Sequence, residues 1–251
     1  MIEKSGKLYG VGVGPGDPEL MTIKAKNILE KVDIIYTPIS RKNKESKALK
    51  IAEKIVNCKE KVQKLLFPMT KNKDEKEKHW QNNAQKIITD LKNKKAVAFI
   101  TIGDPLLYST YIYILNHLKK GEFKGDFTDI NSLIETVPGV TSINTSSARL
   151  NLPLAAGDEK LLVLPDIPNN KNLGNLIKDF DNVVILKVSK NIEKIMDFLE
   201  EFNYDNKFAF ISRCGYQEEF ITTDVEELKH RDIDYLSLII FKKDVELQIN
   251  H

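Results

Sequence analysis

From residue 7 to about residue 150, short apolar runs alternate with longer stretches of helical periodicity. Val97-Ala-Phe-Ile-Thr-Ile102 is continuously apolar, as a strand buried on both faces should be, whereas Ala25, Ile28, Leu29 and Val32 recur at the spacing of one helix face. The pattern predicts strands at 7–13, 32–37, 61–67, 95–102 and 131–137, and helices over 18–31, 45–57, 74–93, 107–120 and 141–150. Such alternation argues for a mostly parallel sheet with helices on both faces. Asn151-Leu-Pro-Leu-Ala-Ala-Gly-Asp158 breaks the rhythm and reads as a linker. A second series follows, with strands at 159–164, 182–188, 207–212, 217–223 and 235–242 and helices near 171–180, 191–203 and 224–230. Close spacing of the last strands implies hairpins and a mixed sheet. The expectation is an α/β chain of two lobes, 1–152 and 153–251, with a ligand cleft between them.

Bulk composition limits the partners. The 251 residues, 41% hydrophobic and 29% charged, suit one large or two small globular domains. Thirty-eight Lys and Arg against 36 Asp and Glu leave a net charge of +2, which gives no sign of a dedicated nucleic-acid surface. Lysine-rich runs at 42–50 and 71–78 are most simply solvated faces, with a local anion-binding patch as the alternative. Cys58 and Cys214 lie far apart, and His79, His117, His230 and His251 share no ligand spacing, so no metal site is expected. Without a signal pattern or a long apolar run, the chain reads as a soluble cytoplasmic protein, not a membrane one.

The polar turns that end the strands carry the chemistry. Residues 7–22 run from an apolar strand into a turn containing Gly10, Gly12, Gly14 and Gly16, and Asp17-Pro18 then opens a helix with a good N-cap and first-position proline. A backbone cradle beside a helix N-terminus at a strand's C-terminal end is where open α/β sheets bind ligands. The turn is neither a dinucleotide fingerprint, because Asp17 stands where the third glycine should, nor a phosphate loop, because no Gly-Lys-Ser/Thr follows. Thr101-Ile-Gly-Asp-Pro-Leu-Leu-Tyr-Ser-Thr-Tyr111 repeats the plan at the fourth strand, with Asp104 as a strand-end carboxylate or a helix cap. Glu135-Thr-Val-Pro-Gly-Val-Thr-Ser-Ile143 ends the fifth, where Thr141 or Ser142 can cap the next helix. Turns ending the first, fourth and fifth strands can converge on one crevice.

With these three turns in hand, the chain resembles the tetrapyrrole methylases, S-adenosylmethionine-dependent enzymes of two α/β lobes that methylate macrocycles. The resemblance covers nearly the whole chain and rests on Gly12-Val-Gly-Pro-Gly-Asp-Pro18, Gly103-Asp-Pro-Leu-Leu-Tyr-Ser-Thr-Tyr111, Val137-Pro-Gly-Val-Thr-Ser142, Val184-Ile-Leu-Lys-Val188, Ser212-Arg-Cys-Gly215 and Ser237-Leu-Ile-Ile240. Within the family, the opening Gly-Lys-Leu-Tyr-Gly-Val-Gly-Val-Gly-Pro-Gly-Asp-Pro-Glu-Leu and the Leu-Lys-Val at 186–188 look like the enzymes that methylate C-20 of cobalt-factor II or of metal-free precorrin-2.

That resemblance implies a donor site of Pro15, Ile102, Gly103, Asp104 and Leu107, the pair Thr141 and Ser142, and, from the second lobe, Leu186, Lys187, Cys214, Ser237 and Leu238. Leu186 and Leu238 are equally readable as core strand residues, and Lys187 either snorkels to the surface or points at the cleft. The first glycine turn would floor a macrocycle trough, with Gly14, Gly16 and Asp17 as substrate contacts and Pro15, Gly16 and Asp17 as its exposed members. Arg41, Lys42 and Lys44, in a polar loop, would meet macrocycle carboxylates or form a solvated loop. Arg149 and Arg213 are further candidates, with structural ion pairing favoured. Asp104, Tyr108 and Tyr111 are the nearest candidates for a base, the two tyrosines lying three apart on one predicted helix, although the ring can lose its proton to water. The family also implies a homodimer, to which exposed apolar positions in the tract 74–93, Trp80 among them, could contribute, although Trp80 reads more simply as a core anchor. RNA or protein methylation by the same fold and a non-enzymatic nucleotide-binding module are the competing readings; the near-neutral charge and the missing nucleotide motifs count against them.

Overall fold

A computed structural model describes residues 6–120, 129–167, 174, 179–201, 207–229 and 231–242. The chain divides into two units, Met1–Thr141 and Ser142–His251. The first holds strands β1 (Lys7–Gly12), β2 (Ile34–Ile39), β3 (Val62–Leu66), β4 (Ala96–Thr101) and β5 (Ile134–Val137), and helices α1 (Ile23–Lys31), α2 (Lys47–Ala52), α3 (Lys73–Lys92) and α4 (Tyr111–Lys119). All its strand pairs are parallel, in the order β3-β2-β4-β1-β5. The path steps one way from β1 to β3 and back from β3 to β5. Right-handed crossovers then put α1 and α2 on one face and α3 and α4 on the other. The packing agrees: Ala25, Leu29, Ile51 and Ala52 join Val11, Ile35 and Ile100 in one core, while Ile87, Leu91, Tyr111 and Ile114 join Leu8, Val97 and Phe99 in the other. Val97 and Phe99 face one core and Ala98 and Ile100 the other, so the unbroken apolar run of β4 is buried on both sides.

Two differences from the expected elements have local causes. The sequence pattern ends β2 before Pro38, yet the strand continues to Ile39. Ile39 O accepts from Phe67 N on the β3 side. By alternation the Pro38 nitrogen faces β4, where pairing has already stopped at Tyr36, so no ladder bond is lost. The stretch 18–31 is not one helix. Asp17 caps a single 3-10 turn, Pro18–Leu20, by accepting from Glu19 N at 2.9 Å, and Thr22 then caps α1 by accepting from Ala25 N.

The second unit holds α5 (Ser142–Arg149), β6 (Leu161–Leu164), β7 (Asn182–Leu186), α6 (Ile192–Glu201), β8 (Phe208–Ser212), β9 (Phe220–Thr222), α7 (Val225–Lys229) and β10 (Ser237–Lys242). The sheet order is β6-β7-β10-β8-β9. Only β6 and β7 are parallel; β7-β10, β10-β8 and β8-β9 are antiparallel, and β8-β9 forms the hairpin that the short spacing implied. Residues of α6 and α7 cover one face; Ile143 and Leu152 pack on the other, against Val184, Ala209 and Ile240. The division therefore falls before α5, whereas the sequence pattern set it at 152–153. The helix expected near 171–180 lies largely outside the described residues.

Candidate active site

Beyond the C-terminal ends of β4, β1 and β5, the three polar turns meet. Gly103 N donates to Gly14 O at 2.8 Å, Val13 N donates to Thr101 O at 3.0 Å, and Gly14 and Gly103 form an isolated antiparallel bridge. Asp104 ties in the third turn: one carboxylate oxygen accepts from Gly139 N at 3.0 Å and the other from Leu106 N at 2.8 Å. A carboxylate accepting one N–H on each oxygen is held in a single orientation. Asp104 is thus a clamp between two strand-end turns and does not cap a helix.

The glycines of this junction differ in purpose. Gly10 and Gly12 belong to strand β1 rather than to the turn. A Cβ on Gly10 would lie 2.2 Å from the Tyr111 ring. At Gly12 it would meet Gly103 O at 2.4 Å, and at Gly139 the same oxygen at 2.2 Å. These positions let the chain pack on itself. Gly103 is different: its φ is +67°, and a Cβ there would find only Thr141 Cα and Val140 O, both at 3.9 Å. A side chain there would meet no steric clash, and the two atoms beside it belong to the turn after β5.

Several expected site residues are placed otherwise. Pro15 and Gly16 are buried and Asp17 is half-buried, so they are not the exposed members of a trough floor; the turn folds back on β4 through Gly14 and Gly103, and Asp17 is engaged by Glu19 N. Tyr108 and Tyr111 do not share a helix face. Helix α4 begins only at Tyr111, because residues 104–110 form turns in which Leu107 N donates to Asp104 O and Ser109 Oγ both donates to Pro105 O and accepts from Tyr111 N. Tyr108 has φ +51° and an exposed ring. Tyr111 is fully buried, with its hydroxyl 3.4 Å from Thr136 Oγ1 and its pKa raised by burial. Of the two, only Tyr108 reaches solvent. Leu107 is exposed, Ile102, Thr141 and Ser142 are half-buried, and Arg41, Lys42 and Lys44 lie on an exposed loop after β2.

The second unit gathers its own strand-end group. Leu186 pairs with Leu238 across β7 and β10, and Lys187 N donates to Ser237 O at 2.9 Å. Lys187 stands just past β7 in a left-handed turn at φ +56°, so it is not a strand residue, and its ammonium lies 5.9 Å from the Tyr235 ring centroid. Burial pushes the Cys214 thiol up to about 11, which makes it a protonated packing group at neutral pH. Arg213 pairs with Asp234 at 2.9 Å. Arg149 pairs with Glu219 at 2.7 Å, and Glu219 also accepts from Gly215 N at 2.7 Å. Burial pushes the Glu219 carboxyl up, but Arg149 and the Gly215 N–H outweigh it and hold the group below the usual carboxylate range. Both arginines are therefore ion-paired. Sequence reasoning missed Gly139 as an organiser of the turn junction in the first unit and Glu219 as an organiser of the strand-end turns in the second. The Pro-Gly at a strand end was a usable signal for Gly139; for Glu219 there was none.

The profile of the family described as Tetrapyrrole (Corrin/Porphyrin) Methylases matches residues 7–229. A relative from Methanocaldococcus jannaschii, named a probable cobalt-precorrin-2 C(20)-methyltransferase, is 39% identical over 239 residues, covering 94% of this chain and 96% of its own. Among solved structures, a cobalt precorrin-4 methyltransferase superposes with a TM-score of 0.70 at 20% identity over 96% of this chain and 97% of its own. A uroporphyrin-III C-methyltransferase of Thermus thermophilus, solved with S-adenosylhomocysteine, gives a TM-score of 0.60 at 20% identity, covering 94% and 97%. Among the described residues, no helix is long and apolar enough to cross a membrane.

Proposed function

The chain belongs to the tetrapyrrole (corrin/porphyrin) methylase family, and from that premise we propose that it transfers a methyl group from S-adenosylmethionine to C-20 of cobalt-factor II, the cobalt form of the precorrin-2 skeleton. The observation that carries this reading is the 39% identity, over nearly the full length of both chains, to a relative named for that position on a cobalt macrocycle. The metal-free ring is the alternative substrate.

The junction of the three turns suits a sulfonium donor. A methyl displacement needs donor and acceptor carbon held in line and in contact, and the donor's positive charge disappears on the way to the transition state. Fixed backbone dipoles in a dry site meet that need without an acid-base pair. The side of Gly103 bordered by Val140 and Thr141, free of steric clash, is the place this reading gives to close backbone approach. Asp104 keeps the turn in place through Gly139 and Leu106, and Leu107 offers an apolar surface that excludes water. S-adenosylmethionine supplies the electrophilic methyl group; the chain's task is to bind, orient and dry it. Tyr108 is a candidate to meet the macrocycle or the departing proton, and Arg41, Lys42 and Lys44 are candidates for its carboxylates. The group Leu186, Lys187, Cys214, Ser237 and Leu238 is assigned to the same donor on the family resemblance. A homodimer belongs to this reading too, and sedimentation velocity tests it.

The decisive assay supplies purified protein with methyl-labelled S-adenosylmethionine and, separately, cobalt-factor II and metal-free precorrin-2. A gain of one methyl, located at C-20 by NMR and faster with the cobalt ring, is the expected result. Methylation at another carbon reassigns the chain to a sister activity, and no transfer to either ring refutes the proposal.

A further inference from the structure

A cavity of about 550 Å³ opens beside edge strand β3, away from the turn junction, in the first unit. Helix α3 supplies one wall: His79, Asn82 and Lys86 recur at i, i+3 and i+7 along one face, with Gln85 beside them. Lys64 of β3 and Lys42 of the loop after β2 supply the rest. Ile39 and Leu66 make an apolar base, and Asn83, buried there, donates to Leu66 O at 2.9 Å and so fixes helix to strand.

The charge balance of this lining is one-sided. Three ammonium groups, an imidazole and three carboxamides face the cavity, and no carboxylate does. Among the described residues, no ion pair is made by Lys42, Lys64 or Lys86. Neighbouring acids are taken up elsewhere: Glu45, whose field reaches Lys64, is engaged by Lys50; Glu77 pairs with Lys120; Asp90 binds Lys95 and the Tyr36 hydroxyl. Asp74 and Glu75 sit in the first turn of α3, where the helix end itself favours them. Like charges normally spread over a convex surface. Gathered around a concavity, the exposed ammonium groups of Lys42, Lys64 and Lys86 sum to a positive potential that an anion relieves.

We infer that this cavity is a binding pocket for the carboxylate arms of a polyacid. Lysine heads on flexible stems suit several carboxylates at once, carboxamides satisfy their remaining lone pairs, and the apolar base takes the methylene stems. Two sources can supply such arms. One is the macrocycle itself, a case that rests on the function proposed above. The other is a free polycarboxylate, which does not depend on it.

The test uses the full chain and the double variant Lys64→Gln/Lys86→Gln, with Lys54→Gln/Lys59→Gln as a control that removes the same charge from exposed positions outside the cavity. Citrate titrations at constant ionic strength, macrocycle KM and S-adenosylhomocysteine affinity are read for all three. A loss of citrate affinity of at least ten-fold, or a macrocycle KM raised at least ten-fold, in the cavity variant alone supports the pocket. A raised KM identifies the macrocycle as the source, and a citrate loss without it identifies a free polyacid. If neither quantity separates the cavity variant from the control, the inference is overturned. If the wild-type chain shows no methyl transfer while citrate affinity still depends on Lys64 and Lys86, the functional proposal fails and the pocket stands.

Discussion

The strand-end turns of the two units are held by different partners. In the first, Gly14 and Gly103 take positive φ where the β1 and β4 turns meet, Tyr108 takes φ +51° further along the β4 turn, and Asp104 holds the turns through backbone N–H groups. In the second, Lys187 at φ +56° and Arg213 at φ +52° take the left-handed conformation alongside Gly215 at φ +80°, and charged side chains hold the turns: Arg213 to Asp234, Arg149 to Glu219, Glu219 to Gly215 N. A glycine turn presents backbone and takes little room. A left-handed lysine or arginine costs about 1 kcal/mol or more and persists where surrounding contacts hold it, here the bonds of Lys187 N to Ser237 O and Arg213 N to Leu236 O. The first unit therefore closes its turns with backbone groups and one carboxylate, and the second closes them with charged pairs.

The sharpest way to break the first half of this contrast is Gly139→Ala. Its Cβ would sit 2.2 Å from Gly103 O and 2.9 Å from Gly12 Cα, backbone against backbone, so a loss of about 3 kcal/mol is expected in denaturant unfolding. Asp104→Ala follows, at about 2 kcal/mol, because the N–H groups of Gly139 and Leu106 lose their acceptors. Donor affinity should fall with it, read by calorimetry with S-adenosylhomocysteine. In the second unit Glu219→Ala should cost about 1–2 kcal/mol, since Gly215 N and Arg149 lose their partner. Its folded pKa lies below the unfolded value, so Glu219 stabilises above the ordinary carboxylate range and loses that contribution as pH falls through the depressed value. The variant's unfolding free energy should accordingly show a shallower decline in acid. Lys187→Gly is the smallest change and the most discriminating. Relief of the left-handed strain predicts a stability gain of up to about 1 kcal/mol together with weaker donor binding; unchanged donor binding would make Lys187 purely structural.

The same contrast explains what could be read from the sequence. The parallel sheet of the first unit was legible because βαβ units carry two periodicities, and its turns were legible because glycine and proline mark them. The mixed sheet of the second was visible in the strand spacing. Conformations that ordinary residues adopt leave no such mark. Nothing in the local sequence put Lys187 outside its strand, or delayed α4 to Tyr111 by spending Ser109 on the turn. Nor did it distinguish Gly103, where a Cβ would meet no close neighbour, from Gly10, Gly12 and Gly139, which admit other parts of the chain. Long-range partners such as Asp104 with Gly139, or Arg149 with Glu219, are properties of the fold.

The central claim, that the turn beyond β4 carries the donor, is tested most directly by following backbone amide resonances during a titration with S-adenosylhomocysteine. The account predicts saturable shifts at Gly103 and Asp104 that exceed those elsewhere in β4. Saturable binding that leaves both amides unmoved would contradict it.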